Sequence, residues 1–85
     1  MPEISRFLGI TIYMNWREHN PPHIHAKYGE YTISVEINSI IIDGRFPKRA
    51  LNHVIEWVEL HKSELLSDWS LAQDGRQLYP ISPLE

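Results

Sequence analysis

The hydrophobic period changes once, at Pro47, and that change sets the fold class. Upstream, Tyr31, Ile33, Val35 and Ile37 alternate with Thr32, Ser34 and Glu36, the period of a strand with one face buried. Downstream, Ala50, Leu51, Val54, Ile55, Val58, Leu65 and Leu66 recur every three or four residues, the period of an amphipathic helix. A run of short strands followed by helix predicts an α+β domain.

Three more upstream segments read as strands. Residues 10–16 are β-branched and aromatic, which suits a pleated surface. Residues 23–28 precede a Gly29-Glu30 turn that makes them the hairpin partner of residues 31–37. Residues 40–43 form a short strand closing at Gly44. Short connections favour antiparallel neighbours. Pro47 suits a first helical turn, where its missing N–H costs nothing. The helix is expected to run to about Gln73, with Gly75 as a left-handed stop. Trp57 and His61 fall on the border of its apolar stripe, His53 and Leu60 on the solvent side, and Lys62 inside the stripe. The expectation is a three- to four-stranded antiparallel sheet with one long C-terminal helix across one face. Residues 1–85 form one domain, with 76–85 as an extended tail docked through Tyr79, Ile81 and Leu84.

Composition excludes some functions. Without cysteine there is neither a disulfide framework nor a thiolate zinc site. A formal charge of −3 argues against sequence-independent wrapping of DNA. It leaves room for local basic patches at Arg45, Lys48 and Arg49, and at Arg17 with Lys27. No apolar run approaches membrane-spanning length and no leader pattern is present. The expected compartment is cytoplasmic.

The specialised segment is Arg17-Glu-His-Asn-Pro-Pro-His-Ile-His-Ala-Lys27, which holds three of the five histidines around two prolines. On a strand, His23, His25 and Lys27 share one face while Ile24, Ala26 and Tyr28 share the other. Side chains two residues apart on a strand are roughly 6.5–7 Å apart, so both rings can reach one phosphate or one metal ion. The prolines restrict the separation of His19 from His23.

Three readings follow. In the first, His19, His23 and His25 supply the general base and acid of a metal-independent ribonuclease, and Arg17 and Lys27 bind phosphate. In the second, His23 and His25 are neutral metal ligands, with His19 or Glu18 completing the set and zinc suited to the donors. Arg17 and Lys27 count against that, since cations disfavour a second cation. In the third, the prolines shape a turn and the rings satisfy carbonyls or pack on Trp16 and Tyr28. His53 and His61 read as ordinary helix residues.

The run Glu18-His-Asn-Pro-Pro-His-Ile-His25 resembles the hallmark of domain-of-unknown-function family 4160. The likeness extends to the basic helix start after Gly44 and Phe46, to residues 61–69 and to residues 81–84. Members often carry Ser or Thr where this chain has Pro47, so an N-cap hydroxyl is missing. The resemblance implies a small bacterial cytoplasmic protein, often encoded beside another small domain in toxin–antitoxin-like pairs. It implies no reaction. The functional expectation is therefore a member of such a pair, acting on RNA through its histidines without a cofactor. The alternatives are a non-catalytic protein-binding module and a histidine metal site. Expected partners are a small cognate protein, RNA or a second copy of the chain, and no membrane.

Overall fold

The computed structural model describes residues 2–85. Five strands precede two helices: β1 (Glu3–Phe7), β2 (Ile10–Tyr13), β3 (His23–Tyr28), β4 (Tyr31–Glu36), β5 (Ile42–Gly44), α1 (Lys48–Leu60) and α2 (Lys62–Gln73). The strands form one antiparallel sheet in the order β1-β2-β3-β4-β5. Each strand thus pairs with its neighbour in sequence, the arrangement short connections favour.

The α+β class holds, with more elements than expected. β1 is the added strand. Its pairing with β2 is interrupted between Glu3 and Ser5, which breaks the simple alternation that marks a strand. The β1–β2 turn is Leu8-Gly9, both at positive φ (50° and 79°), as a two-residue type I′ turn requires. Leucine is not a residue that announces such a turn. β2 is shorter than expected, ending at Tyr13, and β5 begins two residues later, at Ile42.

The single long helix is corrected to two, divided at His61 (φ −115°, ψ 25°). A straight helix over residues 48–73 would be about 39 Å long at 1.5 Å per residue. The longest dimension of the protein is 33 Å, so a straight rod would overhang the sheet. The break also leaves Lys62 exposed, whereas Leu65, Trp69 and Ala72 stay buried. α2 ends in a Schellman arrangement, with Gly75 N–H donating to Ala72 O and Arg76 N–H to Leu71 O. Gly75 supplies the left-handed residue (φ 68°).

The core joins one sheet face to the helices. Ile10 and Ile12 of β2, Ile24 and Ala26 of β3, and Ile33 and Val35 of β4 are buried with Val54, Trp57 and Val58 of α1. Trp57, expected at the border of the stripe, is fully buried, because residues 76–85 strap across it and Ser82 O accepts its indole N–H at 2.8 Å. The strap continues to β1, where Ile81 N–H donates to Ile4 O. Tyr79 is exposed, whereas Ile81 and Leu84 dock as expected, joined by Leu78. Tyr28 and Tyr31, both expected to face the core, are partly exposed instead. They pair across the end of the β3–β4 hairpin, next to its Gly29-Glu30 turn.

Candidate functional site

Strand geometry does what the alternation of residues 23–28 predicts. Ile24 and Ala26 are fully buried, while His23 and His25 sit half-buried on the other face and Lys27 is exposed there. The two imidazole centroids are 5.1 Å apart at 76°. Tyr13, directly opposite His25 in the ladder, stacks on it at 5.1 Å and 14°. Trp69 of α2 lies against His23, 5.1 Å between centroids. Each ring is therefore held by an aromatic neighbour.

The third member comes from the β2–β3 connection. Glu18 Oε1 is 2.7 Å from His25 Nε2 and 3.3 Å from His23 Nε2. The connection is anchored to the end of α2: Arg17 N–H donates to Ala72 O, Gln73 Nε2 donates to Glu18 O at 3.0 Å, and Trp16 Nε1 donates to Arg76 O at 2.9 Å. The carboxylate is thus placed by residues more than fifty positions downstream.

Hydrogen bonding settles one tautomer. His23 Nδ1 lies 2.8 Å from Pro21 O, and a carbonyl oxygen can only accept. The proton is therefore on Nδ1, and in neutral His23 the Nε2 lone pair faces Glu18. His25 can donate its Nε2–H to the same carboxylate. An imidazole lone pair and a carboxylate oxygen repel each other, so this contact calls for a proton or a metal ion between them. Partial burial pushes the Glu18 carboxyl up, but the His25 hydrogen bond, the His25 and His23 charges and Asn15 outweigh it and hold it below its ordinary value.

The donor atoms of Glu18, His23 and His25 all lie within 4.8 Å of one another. Tetrahedral zinc with bonds of about 2.0–2.2 Å places its ligand atoms about 3.3 Å apart. The His23–Glu18 separation already matches this spacing. The shorter His25–Glu18 contact would open by about 0.6 Å on replacing a hydrogen bond with a shared ion. The Nδ1–H bond of His23 to a backbone carbonyl is also what metal-bound imidazoles ordinarily make, since it fixes ring orientation and tautomer.

The other candidates lie outside this cluster. His19 is exposed and lines an adjacent 250 Å³ depression with Ser34, Glu36 and Asp43. Lys27 is one step further along β3, between Thr11 and Thr32. The Arg17 guanidinium lies against Gly75, at the negative end of the α2 dipole. Glu18, rather than His19, completes the set. The one sequence signal for it was its place beside the histidines, since the loop conformation is set by α2.

Fold and cluster together define a small α+β meander domain with two imidazoles and a carboxylate converging on its open sheet face. The chain belongs to the family described as Domain of unknown function (DUF4160), whose model matches residues 9–70. That span includes Glu18, His23 and His25 and excludes β1 and the C-terminal strap. No curated protein and no solved structure matches the chain. Among the described residues, no helix is long and apolar enough to cross a membrane.

Proposed function

We propose that the protein binds one divalent transition-metal ion, of zinc type, through Glu18, His23 and His25. The observation that carries this reading is the carboxylate lying between two Nε2 atoms while His23 Nδ1 is committed to Pro21 O. The competing reading, acid–base cleavage of RNA by the same histidines, needs a phosphate between the rings. Two like charges 4 Å apart near a protein surface repel by about 4 kcal/mol, so a carboxylate at that point favours a cation over a phosphodiester. Of the two cations expected to neutralise a phosphate, the Arg17 guanidinium lies beside Gly75 at the end of α2, and Lys27 is exposed further along β3.

A zinc ion held by these three donors would keep a fourth position for water and would lower the pKa of that water to about 7, the condition for metal-assisted hydrolysis. Tyr13 and Trp69 hold the ligand rings, and Gln73 holds the Glu18 backbone. Titration calorimetry with zinc is expected to show one equivalent bound. Glu18→Gln, His23→Ala and His25→Ala should each weaken binding by more than about tenfold. Absence of binding, or binding indifferent to all three changes, contradicts the proposal. RNA cleavage that survives a chelator and is lost in the His23→Ala/His25→Ala double variant would instead support the acid–base reading.

A second reading, binding of a small cognate protein, draws support from the sheet edges. The strap touches β1 at Ile4, whereas β5 is an edge strand among the described residues and is preceded by exposed Ile41. An unpaired edge offers free N–H and C=O groups to a partner's strand.

A further inference from the structure

A second polar centre lies away from the histidines, where α2 meets the C-terminal strap. Asp68 is only 2% exposed. Its Oδ1 accepts the Tyr79 N–H at 3.0 Å, and its Oδ2, equally buried, has no partner among the described residues. Buried carboxylate oxygens are ordinarily paired, because leaving one without a donor forfeits its hydration for nothing. Pinning the strap explains one oxygen of Asp68 and not the other; an asparagine would accept the same bond.

The unexplained oxygen belongs to a residue that lines a cavity of about 350 Å³, at the small end of the range for small-molecule sites. Glu64, one turn earlier on α2, contributes a second carboxylate, one oxygen of which already meets His61 Nδ1 at 2.7 Å. Ser63 and Ser67 add hydroxyls, and Pro80 and Ile81 supply an apolar wall. Among the described residues, no Lys or Arg lines the cavity. We propose that this cavity binds a protonated primary amine with a short aliphatic stem, held at its ammonium end by Asp68.

The chemistry fits each part of the lining. An ammonium group has three donors and no acceptor, matching an orphaned carboxylate oxygen, a second carboxylate and a hydroxyl. Its stem rests on Pro80 and Ile81. A phosphate or carboxylate ligand would meet two like charges. Burial and the neighbouring Glu64 charge, set against the Tyr79 N–H bond, push the Asp68 carboxyl up, and a bound cation would reverse that penalty.

The test is an NMR titration of the full chain near neutral pH with n-butylammonium, with n-butanol and tetramethylammonium as controls. The first control lacks the charge and the second lacks N–H donors. Saturable shifts are expected at the Ser67, Asp68 and Tyr79 amides with n-butylammonium, and binding of either control should be weaker by about tenfold or more. Asp68→Asn should lose n-butylammonium binding by a similar factor while keeping the native spectrum. Ser67→Leu, at an exposed helix position, should abolish binding by filling the cavity, and gives the same readout should Asp68→Asn fail to fold. No saturable shift, equal binding of n-butanol, or unchanged affinity in a folded variant would overturn the proposal.

Discussion

Glu18 and His25 meet at 2.7 Å although the chain reverses direction between them. The contact depends on two independent placements. β3 aims His25 off the open face, and α2 holds the preceding loop so that Glu18 swings back over that face. A carboxylate placed in this way carries a pH signature. The Glu18 carboxyl is held below its ordinary value in the folded protein, so its contribution to stability is present above the ordinary carboxylate range and is lost as pH falls through the lowered folded-state pKa. Glu18→Gln keeps an acceptor for His25 without the charge. Denaturant midpoints of wild type and variant should differ at neutral pH and converge under acid conditions. A constant difference at all pH values would contradict the assignment.

The Leu8-Gly9 turn yields a stability prediction of opposite sign. Leu8 holds φ 50° and is 60% exposed, so it bears left-handed strain while burying little. Asparagine tolerates that conformation and favours type I′ turns. Leu8→Asn should stabilise the protein by about 0.5–1 kcal/mol, a rise in Tm of a few degrees. A lowered Tm would mean that Leu8 contributes contacts its exposure does not suggest.

Burial reverses the order that side-chain size suggests in α1. Val58 is fully buried, whereas Leu51 is only partly so. Val58→Ala should cost about 2–3 kcal/mol and Leu51→Ala less, although leucine is the larger loss of atoms. Urea denaturation of the two variants checks this, and a larger loss for Leu51→Ala would mean that α1 is rotated about its axis.

The same residues show where sequence reading succeeds and where it stops. The face shared by His23 and His25 was legible because a strand's period is two, so the burial of Ile24 and Ala26 fixes where the imidazoles point. The start of α1 was legible from Pro47. The break at His61 was not, since Trp57, Leu65, Trp69 and Ala72 keep helical spacing through it; only the size of the sheet demands a bend. β1 was hidden by its irregular pairing near Ser5 and by a turn led by leucine. Trp57 read as a border residue because its cover comes from Ser82, in a segment with no periodicity. Glu18 could be named as a neighbour of the histidines but not chosen over His19. That choice is made by Ala72, Gln73 and Arg76, whose positions no local pattern encodes.

The position of a bound zinc ion separates metal binding by Glu18, His23 and His25 from the other roles of these residues. Crystals grown with zinc, measured on both sides of the zinc absorption edge, locate that ion. One anomalous peak is expected on the open sheet face, about 2.0–2.2 Å from the Nε2 atoms of His23 and His25 and from a carboxylate oxygen of Glu18. A peak held by His19 without Glu18, or no peak between the two rings at saturating zinc, would contradict metal binding by these three residues.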